Sequence, residues 1–198
     1  MGFFIYNTKA KRKEIFKPIL NGKVSLYTCG PTVYDFSHIG NFRTFIFEDL
    51  LKRWLLHLGY DVLHVMNITD VDDKTIKKSI DLKLSLEKIT NKYISEFMAD
   101  IEWLNLHPAD YFPKATDHVP DMILMISNLI KNKMAYTGED GSIYFDISSF
   151  KDYGKLARIK LNKGQKNKIR GLQDEYNSNS PQDFALWKAR KKIGRAHV

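Results

Sequence analysis

Residues 24–69 switch periodicity twice, and that switching constrains the fold more than any other feature of the chain. Val24 to Cys29 runs β-branched and aromatic residues between the turn signal Asn21-Gly22 and the break Gly30-Pro31, the pattern of a buried strand. From Phe42 the apolar residues Phe42, Phe45, Leu50, Trp54 and Leu58, joined by Ile46, Phe47, Leu51 and Leu55, keep a helical period until Gly59 stops it. Tyr60 to Thr69 then reads as strand again. Strand, helix and strand in this order form a βαβ unit, which requires parallel strands with their following loops gathered at the carboxyl ends. The expected fold class is therefore α/β, a Rossmann-like parallel sheet with flanking helices.

Further along, Leu86, Ile89, Tyr93, Phe97, Ile101 and Leu104 mark a second long helix, stopped near Pro108, and Met122, Ile126, Leu129 and Ile130 mark a third. Both are expected to cover the sheet. At Met134 the character changes: Asp140-Gly141 stands between two β-rich runs, a hairpin signal, and a basic, polar stretch follows. Asn162 to Ser180, rich in Lys, Asn, Gly and Ser, reads as a mobile loop.

Lys and Arg number 31 against 23 Asp and Glu, with the surplus strongest between Lys151 and Lys192. This balance suits a polyanion such as RNA, and equally a solvated charged surface. The single cysteine excludes an intrachain disulfide and suits a reducing, cytoplasmic compartment. No apolar run approaches the ~20 residues that span a bilayer.

The first of the two gathered loops carries Cys29, Gly30, His38, Gly40 and Asn41; the second carries Asn67, Thr69, Asp70, Asp72 and Asp73. His38-Ile39-Gly40-Asn41 opens a helix, where unpaired backbone N–H groups and the helix dipole favour an anion. Imidazole and carboxamide donors there suit a phosphate whose charge redistributes during attack at its phosphorus, and Gly40 lets a nucleotide approach the backbone. The same tetrapeptide also fits a plain helix cap with Asn41 as N-cap. Cys29 is either a small buried hydrophobe or a metal ligand, and no CxxC, HxxH or HxxE pattern completes a tetrahedral site. Asp73 suits the N-cap of a helix beginning near Lys74, while Asp70 and Asp72 suit an amino group or a ribose. The Thr69 hydroxyl suits a small polar substrate. His57 and His64 read as structural.

Taken together, YTCGPTVYD at Tyr27 to Asp35, HIGN followed by RTF, GYDVLHVMNITDVDDK and PKATDHV at Pro113 to Val119 resemble the cysteinyl-tRNA synthetases, class I aminoacyl-tRNA synthetases, in order and spacing. The resemblance runs from Ile5 to the DFALWK segment at Asp183 to Lys188. It implies ATP-dependent activation of cysteine to an adenylate, with Mg²⁺ accompanying ATP, and transfer to tRNA by an enzyme that works as a monomer. It assigns His38 and Asn41 to catalysis, Gly30, His38, Gly40 and Asn41 to ATP, and Cys29, Gly30 and Thr69 to the amino acid. Cys29 is by the same resemblance a Zn²⁺ ligand, the metal selecting thiolate over hydroxyl.

Family members are longer and place their other zinc ligands, the KMSKS loop and the anticodon-binding helices after the DFALWK segment. Residues 1–133 are thus expected to be the first half of the catalytic domain and 134–192 part of its connective insertion. The chain by itself is expected to be inactive. Residues 193–198, IGRAHV, do not resemble the family and read as a non-native tail beyond Lys192. The cysteine ligase of mycothiol synthesis, with an amino-sugar acceptor, and a non-catalytic RNA-binding module are the other readings.

Overall fold

In the computed structural model, residues 3–156 and 183–189 are described. The elements are, in order, β1 (Phe4–Asn7), β2 (Arg12–Ile15), β3 (Lys23–Thr28), α1 (Ile39–His57), β4 (Asp61–Met66), α2 (Asp73–Leu82), α3 (Leu86–Trp103), α4 (Val119–Lys131), β5 (Ala135–Thr137), β6 (Ile143–Phe145) and β7 (Phe184–Trp187). Two compact units emerge among the described residues: Lys17–Val119, and the residues up to Phe16 with those from Pro120 onward. The stretch expected as a mobile loop, Asn162–Ser180, and the tail Ile193–Val198 lie outside the described residues.

In the unit Lys17–Val119, β3 and β4 pair in parallel from Lys23↔Asp61 to Thr28↔Met66, with α1 between them in sequence. This is the βαβ unit that the periodicity implies. A third run lies along β4: Met66 N–H donates to Tyr111 O at 3.0 Å, Ile68 N–H to Pro113 O at 2.8 Å, and Ala115 N–H to Ile68 O at 3.0 Å. Its bridges Val65↔Tyr111 and Ile68↔Lys114 are also parallel.

Helix α1 starts at Ile39, three residues before Phe42, because the His38 side chain caps it. The face that it buries also differs from the apolar stripe expected. Phe42, Phe45 and Leu55 are buried together with Glu48, Asp49 and Lys52, whereas Ile46, Phe47, Leu50 and Trp54 are exposed. Partners distant in sequence explain how charged groups stay inside. Lys52 Nζ donates to Pro108 O at 2.8 Å and Asp110 Oδ2 at 3.3 Å, while Asp49 accepts from Arg53 at 2.7 Å and from His107 N–H at 2.8 Å.

Helix α3 buries Ile89, Tyr93, Phe97 and Ile101, at spacings of four, against Val33, Phe42, Phe45, Met66, Ile68 and Ala109. Phe97 centres this core, with ring centroids 5.1 Å from Phe45 and 6.4 Å from Phe42. Contrary to expectation, α4 groups with the other unit rather than with the parallel sheet.

That second unit contains the antiparallel hairpin of β1 with β2 and the three-stranded antiparallel sheet β5-β6-β7. The expected hairpin at Asp140-Gly141 is present, with Gly141 at φ +80°. Asp140 closes its loop by accepting from Ser142 N–H, the Ser142 hydroxyl and the Tyr144 hydroxyl, each at 2.9 Å. These donors, the Ser142 N–H first, hold the Asp140 carboxyl below its ordinary range. No described helix is long and apolar enough to cross a membrane.

Candidate functional site

The carboxyl ends of β3 and β4 are drawn together by a close backbone approach at Gly30. A Cβ there would lie 1.9 Å from Asn67 O and 2.8 Å from Met66 Cγ, so only glycine fits. The Asn67 carboxamide then ties the two strand exits: its Oδ1 accepts from Gly30 N–H at 3.3 Å and from the Tyr27 hydroxyl at 3.1 Å, and its Nδ2 donates to Thr69 Oγ1 at 3.2 Å. Pairing continues beyond the strands, with Thr69 N–H donating to Pro31 O at 3.0 Å and Val33 N–H to Thr69 O at 3.1 Å. Cys29, Gly30 and Thr69 are thereby brought to one place. Sequence reasoning placed Asn67 on this loop but gave it no role; its only signal was an amide between the apolar residues Met66 and Ile68.

Thr69 is half-buried and, accepting from Asn67, keeps its own O–H to donate. Cys29 is exposed, which removes the reading of it as a buried hydrophobe, and its Sγ lies 3.9 Å from Gly30 O. Among the described residues no group of three His, Cys, Asp or Glu side chains is placed to hold a metal ion. Cys29 offers one soft donor, and the described residues alone do not fit a tetrahedral zinc site.

At the start of α1 the cap is His38, not Asn41. His38 Nδ1 accepts from Gly40 N–H at 3.0 Å, and Asn41 Oδ1 accepts from His38 N–H at 3.0 Å, a reciprocal capping box. Accepting at Nδ1 fixes the imidazole as the tautomer with its proton on Nε2, so Nε2–H remains as a donor. Asn41, accepting through oxygen, likewise keeps its amide hydrogens. Gly40 acquires a local reason: a Cβ there would sit 2.8 Å from His38 Cε1 and displace the capping ring. The first turn carries no acidic residue, and Arg43 follows it, exposed. This end of the helix therefore presents donors and positive potential to an anion. From Gly40 a groove continues along Arg43, Thr44, Ile46, Phe47 and Leu50.

The acidic run after Thr69 is structural, which corrects three expectations. Asp70 is buried, with Oδ1 accepting from Thr116 N–H at 3.0 Å and Oδ2 from the Thr116 hydroxyl. Asp72, rather than Asp73, is the N-cap of α2, accepting from Lys74 N–H at 2.8 Å and Thr75 N–H at 2.9 Å. Both oxygens of buried Asp70 are thus taken up by Thr116, Asp72 gives its Oδ1 to the cap, and Asp73 sits in the first helical turn.

The segment between the two donor groups is pinned by lysines of α2 and α3, a feature no motif signalled. Lys78 pairs with Asp35 at 3.1 Å, Lys74 lies 5.1 Å from the Tyr34 ring centroid, and Lys92 lies 5.5 Å from that of Phe36. Lys78 holds the Asp35 carboxyl below its ordinary range, and Asp35 in turn raises the Lys78 ammonium.

Residues 15–196 match the family described as tRNA synthetases class I (C) catalytic domain. Among curated proteins, the chain is 53% identical over 189 residues to a cysteine–tRNA ligase of Chlamydia trachomatis serovar D, covering 96% of this chain and 39% of that one. It is 49% identical over 195 residues to that of Chlamydia felis (98% and 40%), and 47% identical over 186 residues to that of Protochlamydia amoebophila (93% and 39%). The chain thus spans about two-fifths of the length of these relatives. Among solved structures, a LeuRS-tRNA-LeuAMS ternary complex from Agrobacterium radiobacter aligns with a TM-score of 0.54 at 20% identity, covering 66% of this chain and 17% of that one. A putative arginyl-tRNA synthetase from Campylobacter jejuni aligns with 0.51 at 13% identity (69% and 40%). These two likenesses show the shared fold.

Proposed function

The chain belongs to the class I (C) tRNA synthetase catalytic-domain family, and from that premise we propose that it is the nucleotide- and amino-acid-binding portion of an enzyme that activates cysteine with ATP and transfers it to tRNA. The observation that carries this reading is the joining, at the ends of two parallel strands, of Gly30 and Thr69 through Asn67, with exposed Cys29 next to Gly30 and the helix that follows offering His38 and Asn41.

In the proposed first step a carboxylate oxygen of cysteine attacks the α-phosphorus of ATP, the bond to the bridging oxygen breaks, and pyrophosphate leaves with its Mg²⁺. Charge shifts onto the phosphate oxygens as that bond breaks. His38 Nε2–H and the Asn41 amide are donors suited to that developing charge, and donors of this kind stabilise the transition state more than the ground state. Gly30 lets β3 approach Asn67 closely enough to set exposed Cys29 near Thr69, whose hydroxyl is free to donate to the amino acid. In the second step a ribose hydroxyl at the tRNA end attacks the acyl carbon, and AMP leaves. Zinc, which the resemblance implies, needs donors beyond those described, so Cys29 is proposed as one thiol ligand only. The relatives' names favour tRNA over an amino sugar as acceptor. A cytoplasmic monomer accords with this reading.

Cysteine-dependent exchange of pyrophosphate into ATP tests it. We expect none from the 198-residue chain alone. We expect exchange from a chimera in which this chain replaces the matching two-fifths of the Chlamydia trachomatis relative. In that chimera His38→Ala should lower kcat by about 10²–10³, the range for removing one transition-state donor. Exchange undiminished in His38→Ala would remove the assigned role.

A further inference from the structure

We propose that Thr28 is a positioning residue for the Cys29–Gly30 exit of β3, held in a buried clamp in which its hydroxyl joins the Glu48 carboxyl to the His64 imidazole. The three side chains come from three elements, β3, α1 and β4, and all lie within the interior at 8%, 9% and 2% exposure. Thr28 Oγ1 lies 2.9 Å from His64 Nε2, and its hydroxyl neighbours the Glu48 carboxyl, whose charged form it favours against the effect of burial. The clamp thus grips the last residue of β3, and the next residue is Cys29.

Each charged group around the clamp is engaged elsewhere. Lys52 binds Asp110 and Pro108 O, Asp49 binds Arg53, and Asp110 Oδ2 also accepts from His64 N–H at 2.7 Å. Among the described residues no ion pair reaches Glu48, and both Glu48 Oε2 and His64 Nδ1 are buried without a partner. The Thr28 hydroxyl can accept one proton and donate its own, so it links its neighbours in either of two directions: Glu48 O–H to Thr28 with Thr28 O–H to His64 Nε2, or His64 Nε2–H to Thr28 with Thr28 O–H to the Glu48 carboxyl. Burial favours the neutral form of both flanking groups, raising Glu48 and lowering His64.

A valine in place of Thr28 would fill the same space without burying polar atoms, and apolar packing is commonly the more stabilising choice. A hydroxyl linked to two such partners is direction-specific instead, fixing the rotation of Thr28 and hence the course of the chain into Gly30. There the backbone passes so close to Asn67 that a Cβ at Gly30 would lie 1.9 Å from its carbonyl oxygen. The proposal rests on the reading of the Cys29–Gly30 exit as the amino-acid end of the site.

Native-state hydrogen exchange of the 198-residue chain, without metal or nucleotide, reads the clamp directly, together with the iodoacetamide alkylation rate of Cys29, its only cysteine. Thr28→Val should speed exchange at the Cys29 and Gly30 amides about tenfold, as expected for losing one buried hydrogen-bonded link, while α3 amides keep their rates. Cys29 alkylation should change in parallel, and Thr28→Ser should restore both. Unchanged local exchange in Thr28→Val, or no rescue by Ser, would overturn the proposal. Glu48→Gln and Glu48→Leu give an independent reading: Gln can donate to Thr28 and should keep local exchange at or below the parent rate, whereas Leu should raise it. Equal behaviour of that pair overturns the clamp even if Thr28→Val does not fold. Because no substrate takes part, this result is separable from the functional reading, which instead falls if Cys29→Ala leaves cysteine-dependent exchange intact in the chimera.

Discussion

Gly30→Ala would place a methyl carbon 1.9 Å from Asn67 O and 2.8 Å from Met66 Cγ. The first of these is a backbone oxygen, which has no rotamer by which to retreat, so the two strand exits must separate by about 1 Å to reach a tolerable contact. That displacement also strains the bonds from Gly30 N–H and the Tyr27 hydroxyl to Asn67 Oδ1. Overpacking costs about 1–3 kcal/mol and each weakened hydrogen bond about 0.5–1.5 kcal/mol, so the expected destabilisation is about 3–4 kcal/mol. For a chain of this size that corresponds to roughly 10 °C in Tm. Urea denaturation and thermal melting followed by circular dichroism measure it. Gly59→Ala is the matched control: at φ +83° with no atom within 4 Å of the added carbon, it carries backbone strain alone, about 1–2 kcal/mol. A Gly30→Ala protein melting within about 2 °C of the parent, or no lower than Gly59→Ala, would refute the steric reasoning.

Phe97→Ala should cost about 3–5 kcal/mol by calorimetry or urea titration, since its ring packs on both Phe42 and Phe45 at the centre of the core. Thr116→Val keeps the backbone N–H that Asp70 Oδ1 accepts from but removes the hydroxyl donor to Oδ2 of that buried carboxylate, and should cost about 1–3 kcal/mol at pH 7 in the same titration. Glu48 is held above its ordinary value of 4.5 by burial, so its contribution is fully present below that pH and is lost as pH rises through the folded-state value. Glu48→Gln should therefore match the parent's denaturation midpoint near pH 4 and exceed it increasingly toward pH 8; parallel pH profiles would contradict this. His64 is lowered by burial, so its share is present above the ordinary 6.5 and falls away as pH drops through the folded-state value; His64→Phe should blunt the parent's loss of stability on that acid side.

Much of the site was legible because the chemistry lies close together in sequence. His38 and Asn41 occupy the ends of one tetrapeptide, and a reciprocal helix cap is a local structure built within it. The sequence reading chose the wrong capping residue, as histidine is an uncommon cap and asparagine a common one. The roles of Asp70 and Asp72 were misread for a different reason. Three aspartates within four positions look alike until it is known that Thr116 returns to Asp70, and that Asp72 is where α2 begins. Asn67 gained its role only from Gly30 and Tyr27, which lie 37 and 40 residues away.

Sequence alone determined the strand–helix–strand order of residues 24–69, the later long helices and the turn at Asp140-Gly141, because helix and strand periods, glycine stops and turn residues act over a few neighbours, whereas the β1–β2 hairpin and β7 were not legible in it. It placed α1 between two parallel strands and the candidate site at their carboxyl ends. Tertiary structure decided which side of α1 faces inward. Period fixes the spacing of side chains around a helix but not which stripe meets the sheet when apolar residues lie on several sides. Here Ile46, Phe47, Leu50 and Trp54 are outside, while Glu48, Asp49 and Lys52 are inside. The inward charges of Lys52 and Asp49 are tolerable because Pro108 O, Asp110, Arg53 and the His107 N–H supply their partners, and all but Arg53 are brought to them only by the folded chain.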